Sequence, residues 1–337
     1  ISLTLNCDNT SSCSYIGGIT GSNTGKLEEC FNHGSITSKS MGTCNSESCV
    51  GGICGNNAGS ILIDEAGSYG GEISSIFYGT TYVGGICGNN TDTGSILIEN
   101  YSCSGKLTSI SSHSNVYAGG VCGNDFGTLS IINCTSSFDI DTNITKHDAT
   151  AYVGGIVGFT LNSETIINCH YSGNIHAGPV NGDVGNKLYV GGISGYNNGT
   201  ISNCYNTGMI CGYSGKSSDG SEMHIGGIAG CNDGNLINCY NSGTITSSSD
   251  SANLIKICTG GIAGYNFKNI SYCYNTGKIE VASSSVPADT ASGTHLGNKN
   301  IYAGGIVGYD YGAVSSSYNT GSVTSQYNSP DEPITIS

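Results

Sequence analysis

The chain has 337 residues, among them 54 glycines, 17 cysteines and no tryptophan, and its formal net charge is -14. All ten Lys+Arg residues are lysines, so there is no bidentate guanidinium fork for phosphate or carboxylate, and the negative field repels polyanions. Nucleic acid is excluded as an expected partner, and without a run of about 18 apolar residues no membrane insertion is expected.

The opening residues, Ile1-Ser2-Leu3-Thr4-Leu5-Asn6-Cys7, lack the basic start of a signal peptide. Leu5-Asn6-Cys7 matches Ile132-Asn133-Cys134, Ile167-Asn168-Cys169 and Ile237-Asn238-Cys239, which puts the start in phase with the second strand of a repeat. A Gly-Gly-Ile/Val-x-Gly core then begins at Gly17, Gly51, Gly84, Gly119, Gly154, Gly191, Gly226, Gly260 and Gly304. A near-constant period of this size is the signature of a solenoid. An array grows in one dimension and needs no domain boundary. The whole of 1–337 is therefore read as one continuous unit: 1–14 a partial repeat, 15–324 nine repeats of about 35 residues, and 325–337 a tail.

Within each unit the apolar segments are short, rich in Ile, Val and Tyr, and punctuated by pairs such as Asn198-Gly199, Thr207-Gly208 and Asp233-Gly234. This pattern predicts strands, three to a coil: Tyr-Val-Gly-Gly-Ile-x-Gly, then Thr-Ile-x-Asn-Cys-Tyr, then a segment starting at the Ile after Thr/Ser-Gly. The expected fold is all-β, a single-stranded parallel β-helix, with right-handed winding preferred to left-handed. Val190 and Ile193 are three apart, so strict alternation cannot turn both to one face. Either the glycine pair forms a bulge, or the sheet is covered on both sides, with Tyr189 and Tyr196 outside.

Stacking coils about 4.8 Å apart turns every repeat position into a ladder. Asn23, Asn57, Asn90, Asp125, Thr160, Asn197, Asn232, Asn266 and Asp310 form one, at a turn suited to left-handed backbone and amide stacking. Cys54, Cys87 and Cys122 form a second, exchanged elsewhere for small residues and so read as inward thiols. Cys7, Cys30, Cys134, Cys169, Cys204, Cys239 and Cys273 form a third, whose rungs are too far apart to pair without distortion. Cys13, Cys44, Cys49, Cys103, Cys211, Cys231 and Cys258 lie off these ladders and are the disulfide candidates. Many cysteines with few lysines favour an oxidising extracellular or cell-surface setting. Asn9, Asn89, Asn100, Asn133, Asn143, Asn198 and Asn269 stand in glycosylation sequons.

Gly-Gly-Ile-x-Gly followed by Asn-x-Gly-x-Ile-x-Asn-Cys-Tyr-Asn-x-Gly-x-Ile, as in Gly191 to Ile210, resembles the GLUG motif. That repeat occurs in surface adhesins, beside IgA-cleaving peptidase domains and in secreted protist proteins. The resemblance implies an extracellular β-solenoid acting as stalk or adhesive surface, with no catalytic residues in the motif.

The residues themselves offer little chemistry. No His-Glu-x-x-His, Gly-x-Ser-x-Gly or phosphate loop is present, and the seven histidines fall at different repeat positions. The close acidic pairs are Asp64 with Glu65, Asp139 with Asp141 and Asp331 with Glu332. Asp125, Asp233 and Asp310 are the carboxylates considered for calcium. Thr37, Thr108, Thr246 and Thr324 follow the third-strand apolar residue and would form an outward threonine row, interrupted by Cys211 and Glu280. The expectation is a non-enzyme without cofactor, a stalk or filament protomer whose partners are itself, head to tail, or other surface proteins and glycans. The alternative is a glycan-binding or polysaccharide-processing β-helix. Ile1, Leu3 and Leu5 at one end and Ile334 and Ile336 at the other are the expected assembly residues, the tail completing the next subunit's first coil by strand addition.

Overall fold

The computed structural model describes residues 1–5, 13–40, 46–145, 149–162, 164–178, 187–215, 221–250, 255–284, 300–328 and 333–335. They form an all-β parallel β-solenoid. Three sheets of nine strands run along it, each strand paired with its equivalent one repeat away, and a fourth sheet of 16 strands closes the coil. Nine coils are stacked, their first strands starting at Ser14, Ser48, Thr81, Val116, Thr150, Lys187, Ser221, Ile255 and Asn300.

Coil 6 shows the path. Lys187–Gly191 lies in the first sheet, Ser194–Asn197 in the second, Thr200–Ser202 in the third, and Tyr205–Asn206 with Ile210–Ser214 in the fourth. A coil therefore has four sides, one more than the sequence pattern suggested. The extra side arises at the glycine pair. What reads as one strand, Tyr189 to Gly195, is two strands on different sheets, joined by a bend at Gly192 and Ile193. The bend resets the inward face, so Val190 and Ile193 are both fully buried without a bulge or a doubly covered sheet.

Each glycine of the pair is fixed by a different contact. A Cβ on Gly191 would strike the carbonyl of Ser194 across the bend. One on Gly192 would strike the carbonyl of Gly227 in the next coil and, at 2.7 Å, the Asn206 side chain across the interior. The first contact is local to the turn; the second is set by stacking.

The core is a column of Ile, Val, Leu and Cys. Ile53, Ile86, Ile156, Ile193, Ile228 and Ile262 are completely buried, with Val121 standing in the same row. In the end coils Ile19 is 48% exposed and Ile306 half-buried.

Two terminal features depart from expectation. Ser2–Leu5 pairs in parallel with Ile36–Ser40, placing Leu3 opposite Ser38 and Leu5 opposite Ser40. The opening residues thus belong to the fourth sheet and are not in phase with the Asn-Cys segment, because their two-residue alternation matches that sheet's longer strands. At the other end Pro333–Thr335 pairs antiparallel with Val323–Asn328 of the same chain, Ile334 opposite Tyr327. Ile336 lies outside the described residues.

Candidate functional site

The ladders are the chemistry of this molecule. At the corner between the second and third sheets the expected amide column is present and buried. Asn23 donates to Asn57, Asn57 to Asn90, Asn197 to Asn232 and Asn232 to Asn266, each Nδ2 to Oδ1 at 2.7–2.8 Å. Each rung also closes its own turn: Asn197 Nδ2 donates to the Gly199 carbonyl and its Oδ1 accepts from the Gly199 amide. The backbone here is not left-handed. Left-handed φ falls at a different position, Asn100, Asn133, Asn168, Asn203 and Asn238, with φ between 52° and 58°. That position directly precedes the cysteine ladder, where the chain turns sharply between the third and fourth sheets. Asparagine tolerates this conformation better than most residues.

A second buried amide column was not foreseen. Asn206 donates to Asn241, Asn241 to Asn275 and Asn275 to Asn319 at 2.7–2.8 Å, and each rung bonds the glycine two residues on. The signal was available in the recurring Asn206-Thr207-Gly208, Asn241-Ser242-Gly243, Asn275-Thr276-Gly277 and Asn319-Thr320-Gly321.

Outside, aromatic rings stack from coil to coil. Tyr82, Tyr117, Tyr152 and Tyr189 lie 4.9–5.1 Å apart on the first sheet. On the fourth sheet His170, Tyr205, Tyr240, Tyr274 and Tyr318 stack at 4.0–5.2 Å. The rings cover one another's faces, and burial raises the pKa of the first-sheet hydroxyls. His224 takes the next rung of the first sheet, but it meets Tyr189 edge-on and stacks instead on Tyr265 of the second sheet at 4.7 Å; burial, with Lys256 and Lys187 nearby, lowers its pKa to about 3. It is a neutral packing residue.

The threonine row is real as a register but not as a surface. Its nine rungs read Thr37, Ser74, Thr108, Asp141, His176, Cys211, Thr246, Glu280 and Thr324. Asp141 and His176 break it further, so the flat threonine array is absent.

The thiols divide by burial. Cys54, Cys87 and Cys122 point inward as expected, each Sγ donating to the carbonyl two residues on at 3.2–3.3 Å. Cys134, Cys169, Cys204, Cys239 and Cys273 are buried and donate to the carbonyl two residues back. Of the disulfide candidates, Cys44 lies outside the described residues, and the other six are free thiols here. The fold brings Cys231 and Cys258 into one cluster with Tyr265, and burial pushes both up to about 12. Cys13 lies beside Tyr15 and Cys49, whereas Cys103 is buried near Cys134 and the tyrosines of its sheet.

The sequons are equally unlike one another. Asn100, Asn133 and Asn269 are exposed, Asn89 and Asn198 half-buried, Asn143 buried, and Asn9 outside the described residues. Asn133 and Asn269 donate their amides along surface ladders, to Asn100 and Asn235, bonds a glycan on Nδ2 would replace.

One buried pair of acids interrupts the first amide column. Asn90 Nδ2 donates to Asp125 Oδ1 at 2.5 Å, but the next rung is Thr160, and Glu164 occupies the gap. The two carboxyls reach each other, while Asp125 Oδ2 and Glu164 Oε2 are buried with no donor. A proton held between them satisfies both. Burial, and after it the neighbouring Asp125, push Glu164 up to about 8. Asp125, Asp233 and Asp310 are not brought together, and among the described residues no three His, Cys, Asp or Glu groups converge as metal ligands.

No curated protein and no solved structure matches the chain. The model of the GLUG motif does, at residues 188–210, 221–246 and 257–280. Each stretch runs from the first-sheet strand through the glycine pair and the left-handed turn to the strand after Asn-x-Gly. The chain therefore carries GLUG motif repeats in three successive coils, 6, 7 and 8, those built on the second asparagine column.

Proposed function

We propose that the chain is a non-catalytic structural repeat of an extracellular or cell-surface protein, a stiff stalk or adhesive rod. The observation that carries this reading is the unbroken stack. All four sheets continue through the described coils, and buried amide columns tie rung to rung, so that load along the axis falls on many parallel hydrogen bonds at once. Nine rungs at about 4.8 Å give a rod of roughly 40 Å. Cysteine content and the sequons favour the outside of the cell. End-to-end assembly is the finer part of the reading. Its support is the strand edges that any solenoid coil presents to the next, and it does not need a free tail, since Pro333–Thr335 is paired with its own chain. Antibody staining of intact cells, scored with attachment before and after removal of the protein, tests the proposal. Surface staining with reduced attachment is expected; a chain found only inside the cell overturns it.

A further inference from the structure

The interrupted row on the fourth sheet places Asp141, His176 and Cys211 on three successive rungs. Asp141 pairs in register with His176, and His176 with Cys211. All three alternate outward from buried neighbours, Ile140, Ile175 and Ile210. In-register neighbours on adjacent parallel strands stand about 4.8 Å apart, close enough for side chains to meet. On the first step His176 Nδ1 lies 3.7 Å from Asp141 Oδ1, within ion-pair reach but longer than a hydrogen bond, and Lys106 Nζ holds the other oxygen, Oδ2, at 2.9 Å. This leaves Nε2 as the ring nitrogen available to the thiol on the next rung. The order is that of an oriented base beside a nucleophile.

The same three residues open onto one cavity of about 370 Å³, walled by Ile110, Ala177 and Tyr213. Of the described cysteines only Cys13, Cys30 and Cys211 are not buried, and of these three Cys211 alone has an imidazole on the adjoining rung; Cys258, which faces His224, is buried. Cys30 Sγ is turned to the Glu28 carbonyl, and Cys13 lies beside Tyr15.

We propose that Cys211 is a reactive thiol, with His176 as its base and Asp141 as the residue that orients the base, and that it takes up a small-molecule disulfide in thiol–disulfide exchange. His176 Nε2 accepts the Cys211 proton; the thiolate attacks one sulfur of the disulfide, a new S–S bond forms as the old one breaks, and the departing thiolate takes the proton from the imidazolium. The incoming disulfide is the oxidant, so no other reagent is needed. The modest cavity and its apolar walls favour a small disulfide over one buried in another protein. This goes beyond the stalk reading: it gives one face of the rod a single point for covalent attachment, and it would stand even if the rod were not a surface protein.

The test is site-resolved labelling of the whole chain with 5,5′-dithiobis(2-nitrobenzoate) at neutral pH, the rate at each cysteine followed by peptide mass spectrometry. Cys211 should label faster than Cys13 and Cys30. Without the imidazole on the adjoining rung to take the thiol proton, Cys211 in His176→Asn should label roughly three- to tenfold more slowly. Asp141→Asn should slow it less, and neither should alter Cys13. Oxidised glutathione should then give a mixed disulfide at Cys211 that dithiothreitol reverses. Circular dichroism on each variant confirms that the strands remain. Labelling of Cys211 no faster than Cys13, or an unchanged rate in folded His176→Asn, overturns the proposal.

Discussion

Coils 2 to 4 and coils 6 to 9 solve the fourth side of the solenoid differently. In coils 2 to 4 it is a single straight strand: Gly67–Phe77, Tyr101–Ser111 and Thr135–Ile144. In coils 6 to 9 the same side is two short strands, such as Tyr205–Asn206 and Ile210–Ser214, separated by a turn. In the late coils the inward residue at the break is asparagine. Register places Tyr69, Cys103 and Ser136 in the early coils opposite Asn206, Asn241, Asn275 and Asn319 in the late ones, through Tyr171 of coil 5. Asparagine bonds the glycine two residues on, which bends the chain, and bonds its equivalent in the next coil, which stacks the bend. Tyr69, Cys103 and Ser136 make no such pair of bonds and their strands run on, whereas at Tyr171 of coil 5 the side is already broken, into His170–Tyr171 and Ile175–Ala177. The GLUG motif matches only the asparagine type, so the motif records a turn and a ladder at least as much as a core.

The largest expected effect comes from the close approach at the second glycine of the pair, which in the late coils faces the asparagine column. Gly192→Ala would put a Cβ against the Gly227 carbonyl and the Asn206 side chain, costing about 3 kcal/mol or more. Gly70→Ala, in the straight strand of coil 2, meets nothing closer than Ser104 Oγ at 3.5 Å and should cost under about 1 kcal/mol. Urea unfolding of both variants measures the difference; equal midpoints would mean that the close approach at Gly192 does not fix that glycine.

Next is the column itself. Asn241→Ala removes the donor to the Gly243 carbonyl and to Asn275 and the acceptor of Asn206, stranding buried groups on both neighbouring rungs. About 2–3 kcal/mol should be lost. Ser136→Ala, at the same position of coil 4, deletes a buried hydroxyl that has no partner, and should be neutral or slightly stabilising. A loss at Ser136 as large as that at Asn241 would break the comparison.

The smallest effect lies at the junction between the regions and depends on pH. Glu164 holds its proton more tightly in the folded chain than an ordinary glutamate does, because it is buried beside Asp125. The folded state therefore binds more protons than the unfolded one between the usual glutamate range and about 8, and stability falls as pH rises through that window. Glu164→Gln should flatten the slope and raise stability at pH 8 by about 1–2 kcal/mol. Thermal unfolding midpoints at pH 5 and pH 8 decide it; a wild-type protein equally stable at both would contradict the shared proton.

The sequence by itself determined the architecture. A period near 35 residues, with Ile, Val and Tyr between turn residues, admits only a stack of short parallel strands. The inward Ile column, the inward thiols and the first asparagine column follow from it, since in a stack equivalent positions must superpose. Tertiary structure decided what happens at corners and across rungs. The glycine pair reads as part of one strand until the chain bends there, because the clash that demands Gly192 comes from residues 14 and 35 positions away. The left-handed turn fell at Asn203 and its equivalents, not at Asn197, because both are asparagines before a change of direction and only the path into the next sheet tells them apart. Asp141, His176 and Cys211 are scattered single residues in the sequence. They become neighbours only because the coils stack in register, a relation that no local pattern contains.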